Sequence, residues 1–288
     1  MIHFIINGKS GAGRGLKVEN KISEILNSRG IEYSFHRTEY PKHATELAKE
    51  LSANGAKTIV AVGGDGTIHE VLNGLDVEKV NLGIVPVGSG NDFIESVKIP
   101  LNIEKALNII LDGQTKQTDF LVCDGIRGAN IIGTGIDVEI LERCERNKFL
   151  KGKLKYFASL IVSLIKFKFY DFKLKKDNEM QDRSAMIVCC CNGKLFGGGI
   201  PMCPKAEPDD NQMDFIIVNR MKKSKMIGYL IKLMQGKILE QEFCDYVRQD
   251  QAEAIFDHPI SIEIDGEIYR DVKFDIHIEK GKLNLFRP

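Results

Sequence analysis

The sequence predicts an α/β fold in two parts: a doubly wound parallel sheet at the N-terminal end, followed by a β-rich, sandwich-like second domain. Three observations carry this reading. Over the first 120 residues, short apolar runs alternate with amphipathic segments closed by glycine. Three of the four apolar runs lead straight into polar, glycine-rich loops. Beyond residue 120, strand-like runs succeed one another with few helical segments between them. Short apolar strands separated by capped helices indicate a parallel sheet covered on both faces.

Taken in order, "IHFIIN" from Ile2 to Asn7 reads as a buried strand, and "VENKISEILNSRG" as a helix closed by Gly30. "IEYSFHRT" alternates like a strand, and "HATELAKELSANG" is a helix ended by Gly55. "KTIVAV" is the third strand, "IHEVLNG" a helix, "LGIVPV" the fourth strand and "IEKALNIILDG" a further helix. In the second half, "SAMIVCCCNG", "MDFIIVNR", "PISIEIDGEIY" and "VKFDIHIEKGKLNLF" are strand-like, with one helix over about Ser224–Gln235. The expected domains are 1–120 and 121–275.

Composition bounds the function. A chain of 288 residues with 43% hydrophobic content can bury a substantial core. Lys+Arg and Asp+Glu are both 40, so the net charge of zero gives no general pull toward nucleic acid. Seven cysteines include Cys189, Cys190 and Cys191 inside an apolar run, which fits buried free thiols better than disulfides. The opening "MIHFII" lacks the basic-then-apolar order of a signal peptide. No apolar run approaches the ~20 residues needed to span a bilayer. The expectation is a reduced, cytoplasmic protein without a transmembrane segment.

In doubly wound sheets, ligands bind beyond the carboxyl ends of the strands. Three loops of this chain fall on that edge: "NGKSGAGRG" (Asn7 to Gly15), "GGDGT" (Gly63 to Thr67) and "GSGND" (Gly88 to Asp92). Thr67-x-x-Glu70 has the spacing of a capping box, which predicts that Thr67 opens a helix and leaves other N–H groups for a phosphate. Lys9 and Arg14 add cations. The first loop is no Walker loop, because the earlier glycine such a loop requires would fall on His3. No GxGxxG with a downstream ribose-binding acid is present either. A nucleoside triphosphate held without a P-loop is the better reading. Asp65 and Asp92 share the same edge and need partners if buried.

"GGDGTIHEVLNGL" (Gly63 to Leu75) together with "PVGSGNDF" (Pro86 to Phe93) resembles the diacylglycerol kinase catalytic domain family, specifically the bacterial soluble lipid kinases. The resemblance continues through "NGKSG" at Asn7, Thr38, "TDF" at Thr118, "GTGID" at Gly133, "PKAEPDDNQMD" at Pro204 and "DGE" at Asp265. It implies an ATP-binding α/β domain followed by an NAD-kinase-like β-rich domain, with a last strand, about 276–288, returning to the first domain. The implied nucleotide contacts are Asn7, Gly8, Lys9, Ser10, Gly11, Thr38, Gly64, Asp65, Gly66, Thr67, His69 and Ser89, and the same loops contribute Gly63, Asn91 and Asp92. The implied structural magnesium site uses the Asp210 side chain with carbonyls of Glu207 and Gln212. The implied proton acceptor is Glu267, with Asp265 beside it, and catalytic magnesium falls near Asp65.

Read without the resemblance, "EPDDNQMD" is also a solvated acidic turn, and "IDGEIY" a tight turn between two strands. Asp265 and Glu267, at alternate positions with Gly266 between them, are expected to point to the same side of an extended chain. The sequence departs from the family pattern at Gly8, His69, Ser89 and Asn211, where a proline, an asparagine, a threonine and a glycine are usual. Asn211 can still take a left-handed turn. From Arg143 to Lys176, eleven Lys/Arg face two Asp/Glu around the apolar "YFASLIVSLIKFKFY". Anionic membranes attract such residues, although a core helix with solvated lysine flanks gives the same pattern.

The expected protein is therefore an ATP- and magnesium-dependent lipid kinase that visits the membrane surface transiently and phosphorylates a lipid hydroxyl, with diacylglycerol the leading acceptor. The alternatives are phosphorylation of a soluble nucleotide in the manner of NAD kinase, or a catalytically silent nucleotide- or lipid-binding regulator. The resemblance also admits a homodimer.

Overall fold

The computed structural model describes residues 1–8, 15–88, 90–146, 162–163, 167, 169–176 and 179–288. The chain folds as two units, Met1–Phe120 with Lys280–Pro288, and Leu121–Glu279.

In the first unit, β1 (Ile2–Ile6), α1 (Gly15–Ser28), β2 (Tyr33–Arg37), α2 (His43–Ala53), β3 (Thr58–Gly63), α3 (Asp65–Gly74) and β4 (Asn81–Pro86) alternate as the periodicity predicts. The short α4 (Asp92–Ser96) and then α5 (Ile103–Leu111) follow, before β5 (Thr115–Cys123). The four strands β1 to β4 are parallel in the order β2-β1-β3-β4. The apolar runs of β1, β3 and β4 are buried on both faces, while the edge strand β2 is only partly covered. Phe4, Ile6, Val60, Val62 and Val85 pack beneath Val18, Ile22 and Leu26 of α1 and Leu107 and Ile110 of α5. Alternate residues Ile5, Ile59 and Ala61 are buried as well. The helices α2 and α3 lie against each other. A Cβ on Gly74 would sit 2.1 Å from the Thr45 carbonyl, so the approach of those helices requires glycine.

The last strand of the chain, β15 (Phe274–Phe286), completes this unit. Its Leu285 pairs in parallel with Leu82 of β4, and β5 pairs with β15. The "TDF" segment holds it there. Asp119, fully buried, accepts the Gly281 N–H at 2.6 Å, and Thr118 accepts from Arg287 Nε at 3.1 Å.

The second unit is antiparallel. It comprises β6 (Ile126–Gly128), β7 (Ile131–Gly135), α6 (Ile136–Arg146), β8 (Tyr170–Lys176), β9 (Glu179–Cys191), β10 (Met213–Asn219), α7 (Met226–Met234), β11 (Cys244–Gln249), β12 (Gln251–Phe256), β13 (Ser261–Ile264) and β14 (Glu267–Arg270), with the first part of β15. Strand β9 is the organiser: one half pairs with β8, the other with β7 on one side and β10 on the other. Strand periodicity explains its three cysteines. Cys189 and Cys191 join Ile136, Ile140, Tyr229 and Leu233 in one core. Cys190 joins Phe215, Ile262 and Phe274 in the other. All three are buried free thiols, and burial pushes Cys190 and Cys191 well above the ordinary thiol range.

Candidate functional site

Register sets the first unit's loops side by side. Ile6 is opposite both Arg37 and Val62, and Gly63 is opposite Pro86. The residues that leave these strands, Asn7, Thr38, Gly64 and Gly88, therefore emerge at one edge. Backbone bonds tie the loops together: Thr38 N–H donates to the Ile6 carbonyl at 2.9 Å, Asn7 N–H to Val62 at 3.2 Å, and Val87 N–H to Gly63 at 2.9 Å. Asn7 Nδ2 donates to Thr67 Oγ1 at 3.3 Å, and Asn91 Nδ2 to the Gly88 carbonyl at 3.0 Å. The expected nucleotide contacts Lys9, Ser10, Gly11 and Ser89, with Arg14, lie outside the described residues.

The glycines serve this packing. A Cβ on Gly64 would fall 2.6 Å from the Gly90 carbonyl, and one on Gly88 would fall 2.4 Å from Gly64 Cα. On Gly63 it would meet Thr67 Oγ1 at 2.2 Å. The turn after β3 and the loop after β4 thus meet at backbone distance, which side chains at Gly64 and Gly88 would not permit.

The expected capping box does not form. The helix α3 begins at Asp65, its N-cap is the extended Gly64, and no side chain caps it. Thr67 sits in the third helical position and is turned over Gly63 and Asn7. The carboxylate of Glu70 caps the neighbouring helix instead, accepting the N–H groups of Lys42 at 3.0 Å and Ala44 at 3.1 Å. The consequence favours anion binding more than the box did. With no side chain over the first turn, the Gly66 amide has no intrahelical acceptor, and it sits at the positive end of the helix dipole.

Asp65 is held within the protein: its Oδ2 accepts the Asp92 N–H at 2.9 Å and its Oδ1 the Phe93 N–H at 3.3 Å. Asp92 is 8% exposed. His69, on α3, is 2% exposed.

In the second unit, "IDGEIY" is the two-residue turn of the β13–β14 hairpin, not an extended stretch. Ile264 pairs with Glu267, and the two central residues have φ of 52° at Asp265 and 91° at Gly266. Asp-Gly is the pair that such a turn of positive φ favours. Asp265 and Glu267 therefore do not share a face. The Asp265 carboxylate is buried and accepts three backbone N–H groups, from Ala129 at 2.7 Å, Asn130 at 2.8 Å and Ile131 at 3.1 Å. Glu267 is exposed. One acid fixes the turn before β7, and the other faces solvent. At the base of the same hairpin lies a cavity lined by Phe256, Ile260, Val272 and Phe274, with Lys273 and the acids Glu253, Asp257, Asp271 and Asp275 at its polar side.

The acidic turn is built around Arg248. It lies opposite Asp214 across β10 and β11, pairs with the Asp210 carboxylate, and has Nε 3.6 Å from Asp214 Oδ1. Asp210 Oδ1 accepts the Gln212 N–H at 3.1 Å, and Asn211 takes φ of 62°. Asp214 is 1% exposed and accepts the Tyr246 hydroxyl at 2.6 Å. Burial, and then Glu207 nearby, raise its pKa. Among the described residues no set of three ligating side chains is placed to hold a metal. Two carboxylates, Asp210 and Asp214, thus face one guanidinium.

"GTGID" was missed as a packed acid. Asp137 is 3% exposed at the start of α6, its Oδ1 has no partner, and burial pushes it up to about 7. A Cβ on Gly133 would lie 2.5 Å from its Oδ2. No periodicity marks that residue, because the strand-to-helix junction falls on it. Most of the basic segment 143–176 lies outside the described residues, and no helix of the described residues is long and apolar enough to cross a membrane.

Comparison with known proteins agrees with this architecture. Residues 1–123 match the diacylglycerol kinase catalytic domain, and residues 130–287 match the YegS C-terminal NAD kinase beta sandwich-like domain. The chain is 26% identical to a diacylglycerol kinase of Bacillus subtilis over 92% of its length and 88% of that protein's. It is 24% identical to a diacylglycerol kinase of Mycobacterium tuberculosis, covering 99% and 94% respectively. A crystal structure of a diacylglycerol kinase from Bacillus anthracis superposes with a TM-score of 0.80 at 24% identity, over the whole of this chain and 96% of that one. Glycine-backed loops on a parallel sheet, followed by an antiparallel sandwich, are the two matched domains in sequence order, and the chain belongs to the diacylglycerol kinase catalytic domain family of bacterial lipid kinases.

Proposed function

We propose that the protein transfers the γ-phosphoryl group of ATP to the hydroxyl of a diacylglycerol, giving phosphatidic acid and ADP. Membership of a lipid kinase family implies ATP and a lipid acceptor; the observation that carries the finer reading is the β13–β14 hairpin. Glu267 stands exposed next to its tip, and a cavity with an apolar wall of Phe256, Ile260, Val272 and Phe274 lies at its base. Three residues of strand separate them, about 10 Å at ~3.3 Å per residue. That spacing suits a substrate whose reacting hydroxyl and acyl chains lie at opposite ends.

In this reading the phosphates lie against the Gly64–Thr67 turn, where the Gly66 amide and the α3 dipole offset their charge. Asn7, Thr38 and Asn91 border them. Asp65 ties the two loops together through the Asp92 and Phe93 amides. Glu267 takes the hydroxyl proton as the lipid oxygen attacks the γ-phosphorus and ADP departs. Phosphoryl transfer rests mainly on positioning and charge neutralisation. Magnesium, when bound, would supply further neutralisation, with Asp210 and the carbonyls of Glu207 and Gln212 as a structural set. Recruitment to the membrane is transient and peripheral.

The test is phosphorylation of lipid by labelled ATP across a mixed lipid extract, with Glu267→Gln alongside the wild type. The variant keeps ATP affinity and thermal stability, and turnover falls by about two to four orders of magnitude. Unchanged turnover removes Glu267 as the base. Absence of any labelled lipid from the wild type overturns the kinase reading.

A further inference from the structure

We propose that α7 and its basic flanks are a docking face for an anionic bilayer surface. The inference rests on the lipid-kinase reading for its choice of partner, and on an anomaly of sequence and burial for its location.

A helix on a protein surface is expected to bury one apolar stripe and show polar residues elsewhere. In α7, "MIGYLIKLM", the buried stripe is Met226, Tyr229 and Leu233. The residues pointing away from it are Ile227, Ile231 and Met234, exposed by 73%, 51% and 49%. Three of the ten exposed large hydrophobic residues among those described thus fall on nine residues of helix. They lie at i, i+4 and i+7, which aligns them along one side. Leu230, half-buried, joins this stripe to the core. Only Gly228 and Lys232 interrupt the apolar circumference.

The charge around the stripe is of one sign. From Asn219 to Leu239 the sequence carries Arg220, Lys222, Lys223, Lys225, Lys232 and Lys237, and no Asp or Glu. In a chain whose charges cancel, that is a local excess of six. Arg220, Lys222, Lys225 and Lys237 are exposed, and none has a carboxylate partner among the described residues. Arg220 stacks over the Phe169 ring, 5.4 Å from its centre.

An apolar stripe framed by cations matches the boundary of a bilayer with anionic headgroups: the side chains of Ile227, Ile231 and Met234 enter the acyl region while the lysines reach phosphates. A second copy of the same face would set cations against cations. An apolar protein partner would leave the charge unanswered. The lipid surface satisfies both halves, and it is where a water-insoluble acceptor resides.

The experiment is co-sedimentation with vesicles, one set of phosphatidylcholine and one of phosphatidylcholine with phosphatidylglycerol. The wild type should pellet with the anionic set only and be released by about 0.5 M salt, which screens exposed charges. Lys222→Glu with Lys225→Glu should weaken the partition by about fivefold or more per lysine. Ile227→Asp with Ile231→Asp should weaken it more than about tenfold. Both variants should keep wild-type turnover on a short-chain diacylglycerol dissolved as monomers. Variants that bind anionic vesicles as the wild type does overturn the proposal, as does a wild type that ignores them. A wild-type dimer that the isoleucine variant abolishes, with no vesicle binding, assigns the face to self-association and also overturns it. Loss of kinase activity on every lipid, with vesicle binding intact, strikes the functional reading and leaves the docking face standing.

Discussion

The carboxylate of Asp65 caps the helix that begins at Asp92, accepting the N–H of Asp92 at 2.9 Å and that of Phe93 at 3.3 Å. The acid of one glycine loop thereby fixes the start of the next loop's helix. Side-chain caps are typically worth about 1 kcal/mol, and bonds to a charged acceptor are stronger than neutral ones.

Asp65→Ala should therefore lower stability by about 1–2 kcal/mol and weaken nucleotide binding through the displaced Gly88–Asp92 loop. Asp65→Asn, which keeps one acceptor oxygen, should recover part of the stability. Thermal melts and nucleotide titration on the same samples check both. A fully stable Asp65→Ala would show that the cap contributes nothing.

Two glycines separate folding from binding. Gly64→Ala collides with the Gly90 carbonyl, so it should cost about 1–3 kcal/mol by overpacking. Among the described residues, a Cβ on Gly8 has nothing within 4 Å. Gly8→Ala should leave stability within about 0.5 kcal/mol, and any loss of ATP affinity then reports a ligand close to that backbone. Unchanged affinity removes Gly8 from the phosphate site.

Asp265→Ala should behave unlike any change at Glu267. It strips the acceptor from three buried N–H groups, and each one left unsatisfied costs about 1–3 kcal/mol unless water reaches it. A strong loss of denaturation midpoint is expected, with circular dichroism showing whether the unit still folds. A stable, inactive Asp265→Ala would return that residue to the chemistry.

Asp137 makes stability fall as pH rises. Its folded pKa is pushed up to about 7 by burial, above that of an unfolded aspartate, so the folded form holds its proton longer. The penalty is absent below about pH 4, grows between there and about pH 7, and is constant above, reaching at most about 4 kcal/mol. Asp137→Asn should be more stable than wild type at pH 8 and equal to it near pH 4. Denaturant melts at the two values decide this; equal stability at both would mean that burial of the charge costs nothing here.

If Asp210 belongs to a magnesium set, added magnesium should raise the melting temperature of the wild type and leave that of Asp210→Ala unchanged. A full response in the variant would make the cluster around Arg248 a self-contained ion-pair network.

The α/β alternation of the first unit was legible because its inner strands are buried on both faces and its helices carry one apolar stripe, so period alone separates them. The glycine loops were legible as a cluster, but not as a mutual contact: the clash a Cβ on Gly64 would make with Gly90 depends on register between β3 and β4. The capping role of Glu70 was hidden for the same reason, since its partners Lys42 and Ala44 are 28 and 26 residues away. The turn at Asp265–Gly266 was legible from its own residues, as Asp-Gly between two strand runs. Reading it as extended overlooked the positive φ that glycine makes cheap there. The buried Asp137 carried no local signal.

The way the chain leaves and re-enters the first unit has a consequence for its making. Residues 280–288, with Leu283 and Leu285 fully buried, belong to that unit but are translated after all of 121–279. While a ribosome is still extending the chain, β4 exposes an unpaired edge and Asp119 waits for the amide of Gly281. Exposed strand edges invite pairing with other chains. Without residues 280–288 the second unit has all of its elements, while the first lacks the strand that covers β4. A chain truncated after residue 279 should be cleaved by protease within residues 1–120 while 121–279 resists.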